Sequence, residues 1–182
     1  PSKISGYRDP NESGRKGLYD PAFEHGACGV GVVANIKGCK SHDIIEKALE
    51  VLIRLGHRGA CGSDPNTGDG AGLLLQMPHD FFHTEAAKLG FELPGHGEWA
   101  VGMFFLPQNS QERLYCEQVL ERVTGEEGQR FLGWRDVPVN PDAIGVDARK
   151  VMPVIRQALI ARGKNSADEP AFERKLYVIR RR

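Results

Sequence analysis

Cys28 lies at the start of the apolar segment Ala27–Ala34, and this segment constrains the fold more than any other stretch of the chain. Three valines between small residues predict a buried strand from Cys28 to Ala34, with the thiol at its exposed end. Gly29 and Gly31 remove side-chain bulk beside that thiol, which suits the close approach of a ligand or another backbone. The segment alone leaves two interpretations open. The thiol is either reactive or, as is commoner in an apolar run, a small buried hydrophobic group.

A second unusual segment, His57–Gly72, is too rich in glycine for regular secondary structure and too rich in hydrogen-bonding groups for a simple linker. It therefore predicts a shaped loop. Its part Thr67–Gly72 lacks the Gly-Lys-Ser/Thr ending of a phosphate-binding loop and precedes a predicted strand. The Gly-x-Gly-x-x-Ala pattern at Gly29–Ala34 lies inside a predicted strand rather than between a strand and a helix. Neither segment is predicted to bind a nucleotide.

Capping residues and hydrophobic spacing predict strands and helices over most of the remaining chain. A first helix begins after the N-cap Ser41, and Gly56 is expected to end it in a left-handed conformation. The other predicted elements are a strand at 73–77, a helix at 78–89 stopped by Gly90, a strand at 99–106, a helix capped by Asn109 and ending before Gly125, strands at 131–137 and 151–161, and a helix at 169–182. The elements lack the regular spacing of a doubly wound sheet, which favours an α+β fold.

Composition limits the classes of function. The chain has 182 residues, with 24 basic and 24 acidic side chains, so no net charge favours nucleic acid or an anionic membrane as a partner. No apolar run approaches the ~20 residues that span a bilayer, which predicts a soluble protein. The cysteines lack paired metal-ligand spacing, so no metal site is expected and a reducing, cytoplasmic location is the simpler inference. His25 and Cys28 could form a thiolate–imidazole pair, but a zinc site would need a second pair of ligands.

Several segments, taken in order, carry a family resemblance. The first three are Ala27–Gly31, Leu55–Ala60 and Thr67–Gly72, and two later ones are Gly133–Pro138 and Phe172–Leu176. In order and spacing they resemble the N-terminal glutaminase domain of glutamate synthase large subunits, which are class II glutamine amidotransferases. The resemblance implies an N-terminal-nucleophile (Ntn) hydrolase fold with four αββα layers, of which this chain holds the first part. Residues 1–27 then resemble a propeptide leader, and residues 28–182 form the N-terminal part of the amidotransferase domain.

The resemblance implies that Cys28 is the catalytic nucleophile. In mature members of the family this cysteine is the first residue, and its own α-amine takes the thiol proton. Arg58 and Gly59 are then expected to bind substrate or support the site, although a structural loop arginine is an equal alternative for Arg58. The residues expected to shape the neighbouring loop are His57, Thr67, Gly68, Asp69 and Gly70.

The resemblance also sets expectations for partners and cofactors. The substrate would be L-glutamine, and the ammonia would pass to 2-oxoglutarate in the complete enzyme. This chain itself should hold no cofactor, whereas FMN and an iron–sulfur cluster are expected in the complete protein. The remainder of the synthase chain is an expected partner, and a small reductase subunit is a further one. A plastid location fits if the source is a photosynthetic eukaryote.

Two departures from the family pattern weaken the expected activity of the chain as written. Cys28 is internal here, so its nitrogen is acylated and cannot serve as the base. The Asn-Gly segment that supplies oxyanion donors in the family does not occur before Arg182, so the chain looks truncated and should be inactive by itself. Two alternatives remain: the amidotransferase domain of another biosynthetic enzyme, and a catalytically silent scaffold.

Overall fold

The structure is a computed structural model that describes residues 29–61, 64 and 66–182. The chain divides between Ala60 and Cys61 into two compact units. Its regular elements are mixed helix and antiparallel sheet, which confirms the predicted α+β class. Their bounds are α1 His42–Arg54, α2 His79–Lys88, β1 Trp99–Leu106, α3 Ser110–Glu126, β2 Arg130–Asp136, α4 Val146–Val151, β3 Val154–Ala161 and α5 Glu169–Arg181.

The first unit is built on α1, which begins where the sequence predicts. The Ser41 hydroxyl accepts a hydrogen bond from the backbone N–H of Asp43 at 3.1 Å, and so caps the helix. The predicted left-handed cap at Gly56 is wrong, since the only glycine of residues 29–61 with a positive φ is Gly38. The helix instead tightens into a 3₁₀ turn over Leu55–Arg58, a common way to satisfy the last carbonyl groups of a helix.

The predicted strand from Cys28 to Ala34 is wrong for its described residues, 29–34. They pair with no strand within the described part of the chain, and the side chains of Val30 and Val32 are each 86% exposed. Cys28 itself lies outside the described residues. β-Branched residues favour extended backbone, but a strand forms only where a second segment supplies its hydrogen-bonding partners.

The predicted strand at 73–77 is wrong for the same reason. These residues form no regular element, and they pair with no other segment among the described residues. Leu74 is 99% exposed, and only Met77, at the end of the run, packs against a core cluster. An apolar sequence predicts a tendency to be buried, but it does not specify the surface against which burial occurs.

The second unit contains a three-stranded antiparallel sheet in the order β1-β3-β2. Strand β1 has the predicted bounds, and β2 lies one residue earlier than predicted. Strand β3 begins at Val154 rather than Val151, because the preceding residues form α4 and Met152 and Pro153 separate the helix from the strand. The central position of β3 explains why its last four residues, Ala158 to Ala161, are all buried.

Helices cover both faces of this sheet. Because successive strand residues point to opposite faces, Leu159 packs with α2 while its neighbour Ala158 packs with α3 and α5. On one face α2 contributes Phe82 and Ala86. The buried residues of the other face are Leu120 and Val123 from α3, Ala158 from β3 and Ile179 from α5.

The helices of the second unit confirm most of the predicted boundaries. The side chain of Asn109 caps α3 by accepting hydrogen bonds from two backbone N–H groups in its first turn, and Gly90, with φ +85°, ends the turn after α2. The predicted stop before Gly125 is wrong, because α3 continues to Glu126. The left-handed residue is Gly128, with φ +73°, where a side chain would be strained.

An ion pair connects α2 to the sheet. The Arg135 guanidinium of β2 lies 2.9 Å from the Glu85 carboxylate of α2, and these side chains are only 11% and 21% exposed. Hydrogen bonds from Lys88 and then from Arg135 lower the pKa of Glu85 below its ordinary value of 4.5. The folded state therefore favours the ionised carboxylate.

We expect Glu85→Gln to lower the stability of the folded protein at pH 7 and to lower it less at pH 3. A carboxyl whose pKa is depressed on folding stabilises the fold above its unfolded pKa, and this contribution disappears as the pH falls through its folded pKa. Urea-unfolding midpoints at the two pH values measure the difference. The control is Asp142→Asn, which removes an ion pair with Arg149 from a carboxylate that is 84% exposed. Equal loss of stability at both pH values would contradict the prediction.

Candidate functional site

The predicted nucleophile, Cys28, lies outside the described residues, but the glycines that follow it have a defined environment. A Cβ atom added to Gly29 would lie 3.0 Å from Leu55 Cδ2, and one added to Gly31 would overlap Val51 Cγ1. Gly29 and Gly31 are two residues apart, which is roughly 6.6 Å in an extended chain. Val51 and Leu55 are four residues apart, which is roughly 6 Å along a helix, so both contacts can form at once. The segment thus runs along α1 in the opposite direction, and helix packing gives a structural reason for these glycines.

Three predicted site residues, His57, Arg58 and Gly59, are consecutive at the end of the 3₁₀ turn. The imidazole Nδ1 of His57 lies 2.8 Å from the carbonyl oxygen of Arg54, so the Nδ1–H donates to that carbonyl. This bond closes the turn and supports the predicted loop-shaping role of His57. The Arg58 side chain is exposed and forms no hydrogen bond with the described residues, which leaves its guanidinium available to an anionic group.

The other predicted site residues, Thr67 to Gly70, belong to the second unit. Gly68 forms an isolated antiparallel bridge with Cys61, which closes the loop between them. Thr67 is half-buried, whereas Gly68, Asp69 and Gly70 are exposed. The loop is therefore anchored at Thr67 and open to solvent beyond it.

Sequence analysis overlooked Asp64, whose carboxylate organises this loop. It accepts hydrogen bonds from the backbone N–H of Asn66 at 3.0 Å and from the hydroxyl of Thr67 at 3.1 Å. The backbone N–H groups of Val146 and Asp147, in the first turn of α4, also help to lower the pKa of this carboxyl. The Asp-x-Asn-Thr order could have indicated the local part of this arrangement, since aspartate commonly accepts from the backbone two residues later.

The loop and α4 are joined by a further bond and by close packing. The backbone N–H of Gly145 donates to the carbonyl oxygen of Asn66 at 2.8 Å. A Cβ atom at Gly145 would overlap both Asp64 Oδ2 and Thr67 Oγ1. We call Asp64, Asn66, Thr67 and Gly145 the loop clasp. The Asn66 N–H and then the Thr67, Val146 and Asp147 donors hold the pKa of the Asp64 carboxyl below its usual value, against an opposing effect of desolvation.

Neither a metal cluster nor a membrane-spanning helix is found in the described part of the chain. No group of three or more His, Cys, Asp or Glu side chains is placed to hold a metal ion there. Of the helices in the same residues, none has the length and apolar character that crossing a membrane requires.

Comparison with known proteins identifies the class. The family model of the class-II glutamine amidotransferases matches residues 28–182, so its first matched residue is Cys28. The chain belongs to this family, which confirms the resemblance found in its sequence motifs.

The curated relatives are glutamate synthases. The chain is 48% identical over 166 residues to the glutamate synthase [NADPH] large chain of Bacillus subtilis, covering 91% of this chain and 11% of that protein. It is 40% identical over 164 residues to ferredoxin-dependent glutamate synthase 1 of Arabidopsis thaliana, covering 90% and 10%. It is 38% identical over 176 residues to the glutamate synthase [NADH] of Saccharomyces cerevisiae, covering 92% and 8%. The chain thus spans about a tenth of the length of these relatives.

Proposed function

We propose that this chain is part of the glutaminase domain of a glutamate synthase, and that it hydrolyses L-glutamine to glutamate and ammonia when the domain is complete. The observation that carries the proposal is the start of the family match at Cys28. The curated relatives support the synthase rather than another class II enzyme as the context.

In the proposed reaction the Cys28 sulfur attacks the side-chain amide carbon of glutamine. The α-amine of Cys28, free when Cys28 is the first residue, accepts the thiol proton and then delivers it to the leaving nitrogen. Collapse of the tetrahedral intermediate breaks the C–N bond, releases ammonia and leaves a glutamyl thioester. Water then attacks the thioester carbon, which releases glutamate and restores the thiol.

We assign the remaining site residues by their chemistry. The exposed guanidinium of Arg58 is suited to bind the substrate carboxylate or fix the chain near Cys28, and the adjacent Gly59 leaves space for that contact. Thr67 to Gly70 shape the loop that follows.

The larger context is also a proposal. Residues 1–27 act as a leader, and the domain that begins at Cys28 completes the four-layer αββα fold with sequence beyond this chain. In the whole synthase the ammonia would combine with 2-oxoglutarate to give glutamate, in the cytoplasm or in a plastid. FMN and an iron–sulfur cluster would supply the electron transfer for this reduction, and a small reductase subunit is a further proposed partner. We propose that FMN and the iron–sulfur cluster belong to the parts of the synthase outside these residues.

The test is product analysis with the full-length protein that begins at Cys28. We expect it to release glutamate and ammonia from glutamine in a 1:1 ratio without any reductant, because thioester hydrolysis is not a redox reaction. Asparagine, shorter by one methylene group, is the matched control substrate and should react much more slowly. A folded protein that releases no ammonia from glutamine would contradict the proposal and favour a silent scaffold.

A further inference from the structure

The loop clasp is a long-range connection between the loop that Thr67 to Gly70 are predicted to shape and α4, a helix to which neither the motifs nor the proposed reaction assigns a role. The Asn66 N–H and the Thr67 hydroxyl both donate to the carboxylate of Asp64, and the Val146 and Asp147 N–H groups at the start of α4 help to lower its pKa. The Asn66 carbonyl accepts a hydrogen bond from the backbone N–H of Gly145, so the start of α4 supplies the donor and the loop supplies the acceptor. The clasp therefore fixes one side of the loop.

The rest of the loop is exposed. Gly68, Gly70 and Gly72 impose few backbone restrictions, and residues 68–72 are open to solvent. An added Cβ atom would meet nothing within 4 Å at Gly70 or Gly72. The start of this glycine segment is fixed where Thr67 bonds to Asp64 and where Gly68 pairs with Cys61.

We propose that Asp64 is a positioning residue for glutamine binding, which acts by clasping the glycine loop to the start of α4. The inference rests on the proposed function. Asp64 contacts no substrate in this scheme. It sets the position of Thr67 to Gly70, and Gly145 is required because only a residue without a Cβ lets α4 approach Asp64 and Thr67 closely enough.

Two substitutions test the clasp from opposite sides in the full-length protein that begins at Cys28. Asp64→Asn removes the negative charge and turns an N–H₂ group toward backbone donors. Gly145→Ala leaves every charge in place and inserts a methyl group between the loop and α4. The matched controls are Asp142→Asn, at an exposed carboxylate, and Gly125→Ala, where an added Cβ would meet nothing within 4 Å.

We expect each clasp variant to raise the KM for glutamine about tenfold, corresponding to roughly 1.4 kcal/mol of binding free energy, while kcat changes much less. The double variant should resemble either single variant, because both remove the same connection. Hydrogen exchange at the backbone amides of Asn66, Thr67, Val146 and Asp147 should accelerate together. The control variants should leave both KM and exchange unchanged.

The possible results are distinguishable. If the unsubstituted protein does not hydrolyse glutamine, the proposed function fails and the role of Asp64 in glutamine binding fails with it. If the unsubstituted protein is active and both clasp variants keep its KM, the positioning role is wrong even when exchange accelerates. A fall in kcat and thermal stability at unchanged KM would identify Asp64 as structural only and would also overturn the inference.

Discussion

Cys28→Ala in the full-length protein that begins at this residue is expected to lower kcat for glutamine hydrolysis by on the order of 10⁴-fold or more, the scale seen when a covalent nucleophile is removed. The variant cannot form the thioester, and water would have to attack an amide directly. The KM for glutamine should change much less, since the substrate carboxylate is proposed to bind Arg58 rather than the thiol. Steady-state ammonia release measures both constants.

The matched controls are Cys61→Ala and Cys116→Ala, which remove free thiols from the second unit. Cys61 is exposed and Cys116 is half-buried, so both substitutions test whether any accessible thiol suffices. Both variants should retain full activity. A glutamine-mimicking electrophile should label Cys28 and spare the other thiols, including Cys39. Hydrolysis that survives Cys28→Ala, or falls equally in a control variant, would show that the nucleophile is misassigned.

The sequence predicted those features of the fold that depend on neighbouring residues. The caps at Ser41 and Asn109 and the end of the helix before Gly90 depend on local hydrogen bonds and backbone sterics. Strand β1 was predicted with its full bounds because its long apolar run lies between a glycine turn and a proline. Such signals require no knowledge of distant parts of the chain.

The two incorrect strands, at 28–34 and 73–77, are apolar segments that have no strand partner within the described residues. Strand formation depends on pairing with segments that are remote in sequence, so composition alone cannot decide it. The glycines at positions 29 and 31 show the same limit. They were interpreted as space beside a thiol, and the structure places them against Leu55 and Val51 of the first unit.

In the candidate site, too, the motifs indicated some residues, while others became evident only from the structure. The motifs correctly indicated the family, and they singled out Arg58 and Thr67 as residues of interest. They did not indicate Asp64, because its importance arises from α4, far along the chain. Nor did they single out Gly145, whose lack of a side chain matters only once the loop lies against it.

The second large effect concerns the residues before Cys28. We expect the chain that retains residues 1–27 to hydrolyse glutamine about 10²–10⁴-fold more slowly than the chain that begins at Cys28, the usual contribution of a positioned general base. A peptide nitrogen has no available lone pair, so it cannot accept the thiol proton. Parallel assays of ammonia release at one pH and one enzyme concentration measure the ratio.

A variant that retains only Ala27 separates the loss of the base from obstruction by a long leader. If the free amine is essential, one added residue inactivates the enzyme as fully as the complete leader does. If bulk is the cause, the Ala27 variant remains close to the activity of the Cys28-initiated chain. Equal activity of all three proteins would show that the α-amine of Cys28 is not the base.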